Sequence, residues 1–300
     1  MKYIVCGPSI VNEVVCADGT ERGPLLGGSV FCVAGIRIWT SSCGYVSNVG
    51  DDFKSFYGSW FTANGISTDK LSRILPHTWH TKLIYGDEGI HSETSIYGEE
   101  DEAKLDALDV ITAEQVARAC DPDTLGIYIE SREQSEFWQE VALVRKASHA
   151  KIMWEIPTSA TMDPARHEGV FETIGLTDYY SINLPEAKAL FGVSDEQAAI
   201  KAIQELEKPC FLRVGSKGSY MITKDDAAFA PSLTVGPIVD PTGCGNASTA
   251  AALYGLCEDF DLYAVARAAN ISAAFNLLQY GPYPAVTDKD ADYARTLLNE

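Results

Sequence analysis

The chain has 300 residues, 46% of them hydrophobic, and its formal net charge at pH 7 is −19. That hydrophobic fraction is enough for a large buried core, and no stretch approaches the roughly 18 to 20 apolar residues needed to cross a bilayer. The acidic balance disfavours nucleic acid as a partner, because phosphate backbones are held mainly by Lys and Arg. We therefore expect a soluble protein that binds neither nucleic acid nor a membrane.

Short apolar runs alternate with helical patterns along the whole chain. Six of these runs predict strands, over residues 3–6, 44–49, 126–130, 151–154, 179–182 and 210–214. They are short and mostly apolar, as strands covered by helices on both faces should be. The alternation predicts an α/β fold with a doubly wound, mostly parallel sheet and helices on both faces.

Local signals indicate where several helices begin. Thr112 with Gln115, and Ser194 with Gln197, have the spacing of capping boxes, in which two side chains satisfy free N–H groups of a helix's first turn. Residues 261–279 form a long helical pattern that is followed by turn-forming residues.

One region departs from this alternation of strands and helices. Residues 77–98 contain two strand-like segments on either side of the turn-rich sequence Gly-Asp-Glu-Gly, which predicts a β hairpin. Such a hairpin outside the core is either an edge elaboration or a lid. Because the sequence shows no internal repeat and no interdomain linker, one core domain with a small β flap is the simplest organisation.

The cysteines and the first residues indicate where the protein resides. None of the eight cysteines forms a Cys-x-x-Cys pair, and most lie in apolar runs. Buried reduced thiols in a cytoplasmic protein are therefore favoured over a disulfide framework. The apolar run before Gly7 is short, so it predicts a first strand and not a signal peptide.

The segment 239–253, Val-Asp-Pro-Thr-Gly-Cys-Gly-Asn-Ala-Ser-Thr-Ala-Ala-Ala-Leu, carries the strongest chemical signal. Its two glycines let the backbone turn tightly and approach a ligand closely. They precede an Ala-rich helical run whose first-turn N–H groups lack internal partners. Glycines and helix start together form an anion hole for a phosphate. On its own, the segment is equally compatible with a structural turn.

Four other segments accompany it: Leu-Leu-Gly-Gly-Ser within 25–39, Gly-Tyr-Val-Ser-Asn-Val-Gly-Asp-Asp-Phe at 44–53, Asn-Leu-Pro-Glu within 181–192 and Gly-Ser-Lys-Gly within 213–223. With 239–253, they have the order and spacing of motifs in the ribokinase-like (PfkB-type) carbohydrate kinases, which the chain resembles over roughly residues 3–290. A single such motif is weak, whereas five in order are strong.

The resemblance implies a single ribokinase-like domain over 1–300, with a β lid formed by residues near 12–24 and 77–98. It also implies transfer of the γ-phosphate of ATP, with Mg²⁺, to a hydroxyl of a sugar-like small molecule. Lid strands in this family sometimes pair between subunits, so a homodimer through the lid is a further expectation.

The resemblance also assigns roles to individual positions. Gly243, Cys244 and Gly245 match the anion hole of the family signature. Gly27 and Gly28 match the Gly-Gly element, where the backbone approaches the substrate.

Four positions match groups that hold metal ions in the family. Asn183 and Glu186 match the pair that supports Mg²⁺ through water, and we expect Glu186 to matter for magnesium and not for the fold. The alternative is a helix cap beside a solvated carboxylate. Asp240 and Thr242 match oxygens that help to bind a monovalent cation.

Four further positions match the nucleotide site. Arg213 lies where the family's nucleotide-binding loop begins, and Gly215 and Gly218 match the two glycines of that loop. The alternative for these two glycines is a hairpin turn. Asn270 matches an Asn near the adenine, with a buried helix amide as the alternative.

The sequence departs from the family where the substrate would lie. The family signature ends in an Asp that takes the proton of the attacking hydroxyl, and here that position is Asn246. An amide cannot act as a base at neutral pH. Asn12 replaces a substrate-binding Asp, Cys32 replaces an Asn, and Arg213 replaces a Thr.

This pattern favours a kinase with a non-standard active site. Neutral side chains at Asn12 and Asn246 would tolerate a substrate carboxylate or phosphate that two aspartates would repel. Two alternatives stay open: a catalytically silent protein that binds a nucleotide or metabolite, and a nucleoside kinase. In the latter, Trp79 or Tyr85 would stack on a base, unless both only pack the lid.

Overall fold

The computed structural model describes residues 1–16, 18–85, 91–133 and 135–300. The strands are β1 (Tyr3–Cys6), β2 (Ser9–Val15), β3 (Glu21–Gly28), β4 (Cys43–Val49), β5 (Leu71–Arg73), β6 (Trp79–Tyr85), β7 (His91–Ser95), β8 (Gly126–Glu130), β9 (Lys151–Glu155), β10 (Tyr179–Asn183), β11 (Cys210–Arg213), β12 (Gly218–Ile222) and β13 (Ala227–Pro231). The helices are α1 (Val30–Arg37), α2 (Phe53–Asn64), α3 (Glu99–Leu108), α4 (Ala113–Ala119), α5 (Ser135–Ser148), α6 (Thr158–Thr161), α7 (His167–Leu176), α8 (Leu184–Phe191), α9 (Glu196–Glu205), α10 (Cys244–Cys257), α11 (Leu262–Asn276) and α12 (Asp288–Asn299).

The larger sheet has the strand order β13-β12-β11-β10-β9-β8-β1-β4-β5. All neighbours from β11 to β5 pair in parallel, and β12 and β13 complete the edge in antiparallel orientation. The order changes direction at β1, which lies between β8 and β4. Crevices at such switch points, beyond the carboxyl ends of the strands, are where ligands bind in open α/β sheets.

Helices cover both faces of this sheet, which confirms the predicted fold class. One buried cluster joins β1 and β8 to α4, α5, α7, α8 and α9. A second joins the other face of the sheet to α1, α2, α10 and α11. No helix in the described part of the chain is long and apolar enough to cross a membrane. All eight cysteines are free thiols.

The four remaining strands form a second sheet, the lid sheet, in the order β3-β2-β6-β7. β6 and β7 pair in antiparallel orientation and confirm the predicted hairpin, whose tip at 86–90 lies outside the described residues. The first lid element is longer than the predicted 12–24, because pairing between β2 and β3 begins at Ser9 and continues to Gly28. The single-domain organisation and the homodimer through the lid stay predictions.

One of the two predicted capping boxes is correct. Thr112 and Gln115 cap α4 reciprocally. The predicted box at Ser194 is wrong, because the Asp195 carboxylate accepts a hydrogen bond of 2.9 Å from the N–H of Ala198 and caps α9 instead.

Close packing of α1 against α10 fixes the start of α10 relative to the sheet. At Gly35, on α1, an added Cβ would collide with the backbone carbonyl of Ala247 on α10. The contact involves backbone on both sides, so a side chain cannot rotate away to relieve it.

We expect Gly35→Ala to lower the free energy of unfolding by about 1–3 kcal/mol, the usual cost of overpacking a core. Gly175→Ala is the matched control, because Gly175 is exposed on α7 with open space around it. The control should raise stability by about 0.5–1 kcal/mol, since Gly is the poorer helix former. Urea denaturation measures both changes, and equal effects of the two variants would contradict this packing.

Candidate active site

Two adjoining cavities lie between the carboxyl edge of the larger sheet and the lid sheet. The first, of about 420 Å³, is lined by Ile10, Asn12, Gly28, Phe31, Leu83, Tyr85, Glu93, Glu130, Pro241, Thr242, Gly243 and Asn246. The second, of about 320 Å³, shares Ile10, Glu93 and Glu130 with the first and extends to Trp79, Asp109 and Arg132.

The start of α10 opens onto the first cavity. Gly243 precedes the helix with φ 75°, and an added Cβ there would collide with the ring of Phe31, so only glycine fits. Among the described residues, no acceptor is hydrogen-bonded to the N–H groups of Gly245 and Asn246. Such donors at a helix N-terminus suit an anion.

A buried ion cluster lies directly behind this helix start. β11 ends at Arg213, whose Nη1 donates to Glu155 Oε1 at 2.6 Å and whose Nη2 is 3.8 Å from Glu186 Oε2. An added Cβ at Gly245 would collide with the same Nη1. The guanidinium therefore packs against the first turn of α10, and glycine makes that approach possible. Burial lowers the pKa of Arg213, but Glu155 and Glu186 more than offset this and raise it.

Glu186 belongs to the fold as well as to this cluster. Its Oε1 accepts from Thr158 Oγ1 at 2.6 Å and its Oε2 from the N–H of Asn183 at 2.8 Å. Asn183 Oδ1 in turn accepts from the N–H of Glu186 at 2.9 Å, so the two residues cap α8 reciprocally. The helix-cap alternative is thus present in the structure, and the role of Glu186 in magnesium binding stays a prediction, as does its small expected effect on stability.

The loop before α10 is fixed from two sides. Asp240 is buried, and its Oδ1 accepts from the N–H and the Oγ1 of Thr242 at 3.0 and 2.7 Å. The Thr242 hydroxyl also contacts the hydroxyl of Tyr85 on the lid strand β6. From α11, Asn276 Nδ2 donates to the carbonyl of Thr242 at 2.7 Å. The lid sheet and α11 thus hold the loop, and the monovalent-cation role of Asp240 and Thr242 stays a prediction.

The other predicted nucleotide positions lie near β12. Gly215 and Gly218 flank the turn between β11 and β12, and both have positive φ. Asn270 is buried: it donates to the carbonyl of Ala230 at 2.9 Å and accepts from Ser219 Oγ at 2.9 Å. These bonds tie α11 to β12 and β13, and the adenine role of Asn270 stays a prediction.

The predicted substrate positions separate into two groups. Asn12, Gly27 and Gly28 come together at the β2–β3 pair: an added Cβ at Gly27 would collide with Asn12 Nδ2, and Gly28 has φ 69°. Asn12 is 6% exposed, and its Oδ1 has no hydrogen-bond partner among the described residues. Cys32 is fully buried in the core and does not line either cavity among the residues described. Burial raises the pKa of its thiol, which keeps it in the unreactive form.

Asn246 contacts a residue that sequence reasoning missed. Its Nδ2 lies 3.5 Å from Tyr128 Oη and 3.5 Å from Glu130 Oε2. Ser29 Oγ also donates to Glu130 Oε2, at 2.6 Å. Burial, followed by repulsion from Glu155, raises the pKa of Glu130 to about 7. The one signal in the sequence is an acidic residue that ends an otherwise apolar strand, where it meets the carboxyl edge of the sheet.

The model of the pfkB family of carbohydrate kinases matches residues 27–289. The chain belongs to this family. The match spans the anion-hole segment, the Asn183–Glu186 pair and the Arg213 loop, and the pfkB family is one of phosphotransferases. No curated protein matches the chain significantly.

Solved structures share the fold at low sequence identity. Adenosine kinase from Sinorhizobium meliloti is 18% identical, with 98% of each chain covered and a TM-score of 0.77. A Burkholderia thailandensis nucleoside kinase in complex with inosine is 17% identical, covering 99% of this chain and 98% of its own, with a TM-score of 0.78. Vibrio cholerae fructokinase, bound to fructose, ADP and calcium, is 16% identical over 98% of each chain, with a TM-score of 0.74.

We expect Arg213→Met to lower the free energy of unfolding by about 3–5 kcal/mol, because it leaves Glu155 and Glu186 as uncompensated buried charges. The matched control is Arg295→Met, which removes an exposed pair with Asp292 and should cost less than about 1 kcal/mol. Thermal and urea denaturation at pH 7 compare the two. Similar small losses would show that the guanidinium is not an essential part of the site.

Proposed function

We propose that this pfkB-family protein transfers the γ-phosphate of ATP, bound with Mg²⁺, to a hydroxyl of a sugar-like small molecule held beneath the lid sheet. One observation carries this proposal. Gly243 and Asn246, at the start of α10, line a cavity that Asn12 also lines, and the N–H groups of Gly245 and Asn246 have no acceptor among the described residues, as Asn12 Oδ1 has no donor. A phosphate and a hydroxyl group satisfy these two kinds of atom.

The charges around α10 support a phosphate at its start. A cation is unfavourable at a helix N-terminus, yet Arg213 packs against the first turn there. An anion bound at that turn is attracted by the guanidinium and by the helix dipole together. Glu155 and Glu186 already offset the guanidinium charge in the free protein, so the N–H groups of the helix start supply the main attraction for a phosphate.

Glu186 fits a supporting role for magnesium. The described residues contain no group of three or more His, Cys, Asp or Glu side chains placed to hold a metal ion. Mg²⁺ usually keeps several waters and is held by one or two carboxylates plus substrate phosphates. The resemblance assigns a contact through water to Glu186, whose two oxygens also accept hydrogen bonds from Thr158 and Asn183. When bound, Mg²⁺ would neutralise charge on the phosphates.

The lining of the second cavity favours a neutral acceptor. It includes Glu93, Glu102, Asp106, Asp109 and Glu130. Arg132 is the one basic side chain among its described lining residues, and it is paired with Asp106. This acidic lining would repel a carboxylate or phosphate. The anionic substrate suggested by neutral residues at positions 12 and 246 is therefore disfavoured, and a polyhydroxylated neutral molecule is favoured.

The position of Asn246 gives it an orienting role. Its Nδ2 is a donor on the first turn of α10, beside the N–H groups that would hold the phosphate. It can hold the oxygen of an acceptor hydroxyl in line with the phosphorus but cannot remove the proton. Phosphoryl transfer depends mostly on positioning and charge neutralisation, so the substitution slows the reaction without removing its basis.

The nucleoside alternative has one observation in its favour. Trp79 lines the second cavity, and its Nε1 donates to Asp109 Oδ2 at 2.6 Å. Its fixed indole could stack on a base. The adenosine and nucleoside kinases of the same fold make nucleosides natural members of any acceptor panel.

Calorimetry with Mg-ATP and Mg-ADP, followed by γ-phosphate transfer to D-ribose, D-fructose, adenosine and inosine, tests the proposal. We expect both nucleotides to bind and at least one acceptor to be phosphorylated slowly. Nucleotide binding without transfer to any acceptor would favour the catalytically silent alternative. No binding of either nucleotide by the folded protein would contradict the proposal.

We expect Asn12→Leu to raise the KM of the acceptor about 3- to 10-fold, because a neutral hydrogen bond contributes about 0.5–1.5 kcal/mol. The KM of Mg-ATP in the same variant is the control and should not change. Thermal stability should not fall, since the substitution removes a buried acceptor that has no partner. An unchanged acceptor KM would place the acceptor elsewhere.

A further inference from the structure

Glu130 occupies the point where the two cavities meet. It ends β8 at the carboxyl edge of the larger sheet and lines both cavities. Its Oε2 lies 3.5 Å from Asn246 Nδ2. A hydroxyl oriented by Asn246 would therefore lie within reach of this carboxylate. The Ser29 hydroxyl, which donates to the same oxygen at 2.6 Å, limits how far the carboxylate can rotate.

The contact between Asn246 and Glu130 matters because asparagine, unlike aspartate, cannot act as a base at position 246. An aspartate there would place a carboxylate oxygen at or beside the present Nδ2, whereas asparagine places a donor. The nearest carboxylate oxygen hydrogen-bonded to this amide is that of Glu130. The site therefore retains a carboxylate, which is hydrogen-bonded to Asn246 and lies at the end of β8 instead of on α10.

We propose that Glu130 is the general base that takes the proton from the acceptor hydroxyl in place of the residue at 246. This rests on the proposed function, a phosphoryl transfer from ATP. The hydroxyl O–H bond breaks and its proton passes to Glu130. The oxygen forms a bond to the γ-phosphorus, and the bond from that phosphorus to the β-phosphate oxygen breaks, with its electron pair leaving on ADP. Glu130 then returns the proton to water.

The groups around Glu130 raise its pKa into the range that suits a general base. The groups that interact with it are Ser29, Cys32, Glu93, Tyr128, Glu155, Arg213 and Asn246. Burial and the Glu155 charge raise the pKa of Glu130 to about 7, although Ser29 and Arg213 act in the opposite direction. A general base is most effective when its pKa lies near the working pH. The carboxylate form predominates above that pKa, so the rate should rise with pH through about 7.

Kinetics of Glu130→Gln test the assignment, with Mg-ATP and the best acceptor among D-ribose, D-fructose, adenosine and inosine. We expect kcat to fall about 10²- to 10⁴-fold, with little change in the affinity for Mg-ADP measured by calorimetry. The rise of kcat with pH through about 7 in the unmodified protein should disappear in the variant. Adding Asn246→Asp to Glu130→Gln should restore much of the lost kcat, because a carboxylate then stands at the usual position.

Some outcomes would contradict the general-base role of Glu130 while leaving the proposed function intact. An active unmodified protein whose kcat does not change in Glu130→Gln, or whose acceptor KM alone rises, would make Glu130 a binding residue. If the variant does not fold, a pH profile of the unmodified protein that is flat between pH 6 and 8 has the same consequence. An unmodified protein that binds Mg-ATP but transfers no phosphate overturns the proposed function and the base together.

Discussion

The guanidinium of Arg213 constrains the geometry of the whole site. It lies between the carboxylates of Glu155 and Glu186 and packs on the first turn of α10 at Gly245. One buried charge therefore holds the ends of two strands, β9 and β11, and the first turns of two helices, α8 and α10. The positive end of a helix beside a guanidinium is unfavourable without nearby anions. The two glutamates supply that compensation, and a bound phosphate would interact with the free N–H groups of the helix start.

The lid sheet and the loop before α10 form the other half of this arrangement. Tyr85 on β6 contacts the Thr242 hydroxyl, and Asn276 on α11 holds the Thr242 carbonyl. The loop before α10 is thus fixed by the lid sheet on one side and by α11 on the other. Thr242 therefore links the lid sheet to the loop before α10, and under the proposed function this contact would couple the lid to the bound phosphate and help to exclude water.

The sequence predicted the strands of the central sheet closely, because apolar runs bounded by turn residues depend on local chemistry. β1 and β8 have the predicted bounds, and β9 and β10 are each one residue longer. The N-cap of α9 was mispredicted because Ser194 and Asp195 are adjacent and both can cap a helix. Which of them does so depends on the backbone geometry at the start of the helix. Cys32 was assigned to the substrate site from its match to the family's Gly-Gly element, whereas its side chain is buried in the core and lines neither cavity among the described residues.

The site residues that sequence reasoning missed depend on long-range contacts. Glu130 and Asn246 are 116 positions apart, and Glu155 and Arg213 are 58 apart. No local sequence pattern indicates these contacts, because they depend on the order of the strands in the sheet. The departures at positions 12, 213 and 246 could be recognised in the sequence, but their consequence could not. The structure shows that one of them, Arg213, forms the ion cluster and that another, Asn246, lies beside a carboxylate.

A crystal structure with Mg²⁺ and a non-hydrolysable ATP analogue tests the central claim most directly. The account predicts that the terminal phosphate accepts hydrogen bonds from the N–H groups of Gly245 and Asn246, with the Arg213 guanidinium still paired with Glu155. The cavity beside Glu130 would then face the γ-phosphorus. A nucleotide bound elsewhere, with these N–H groups directed at water or protein, would contradict the account.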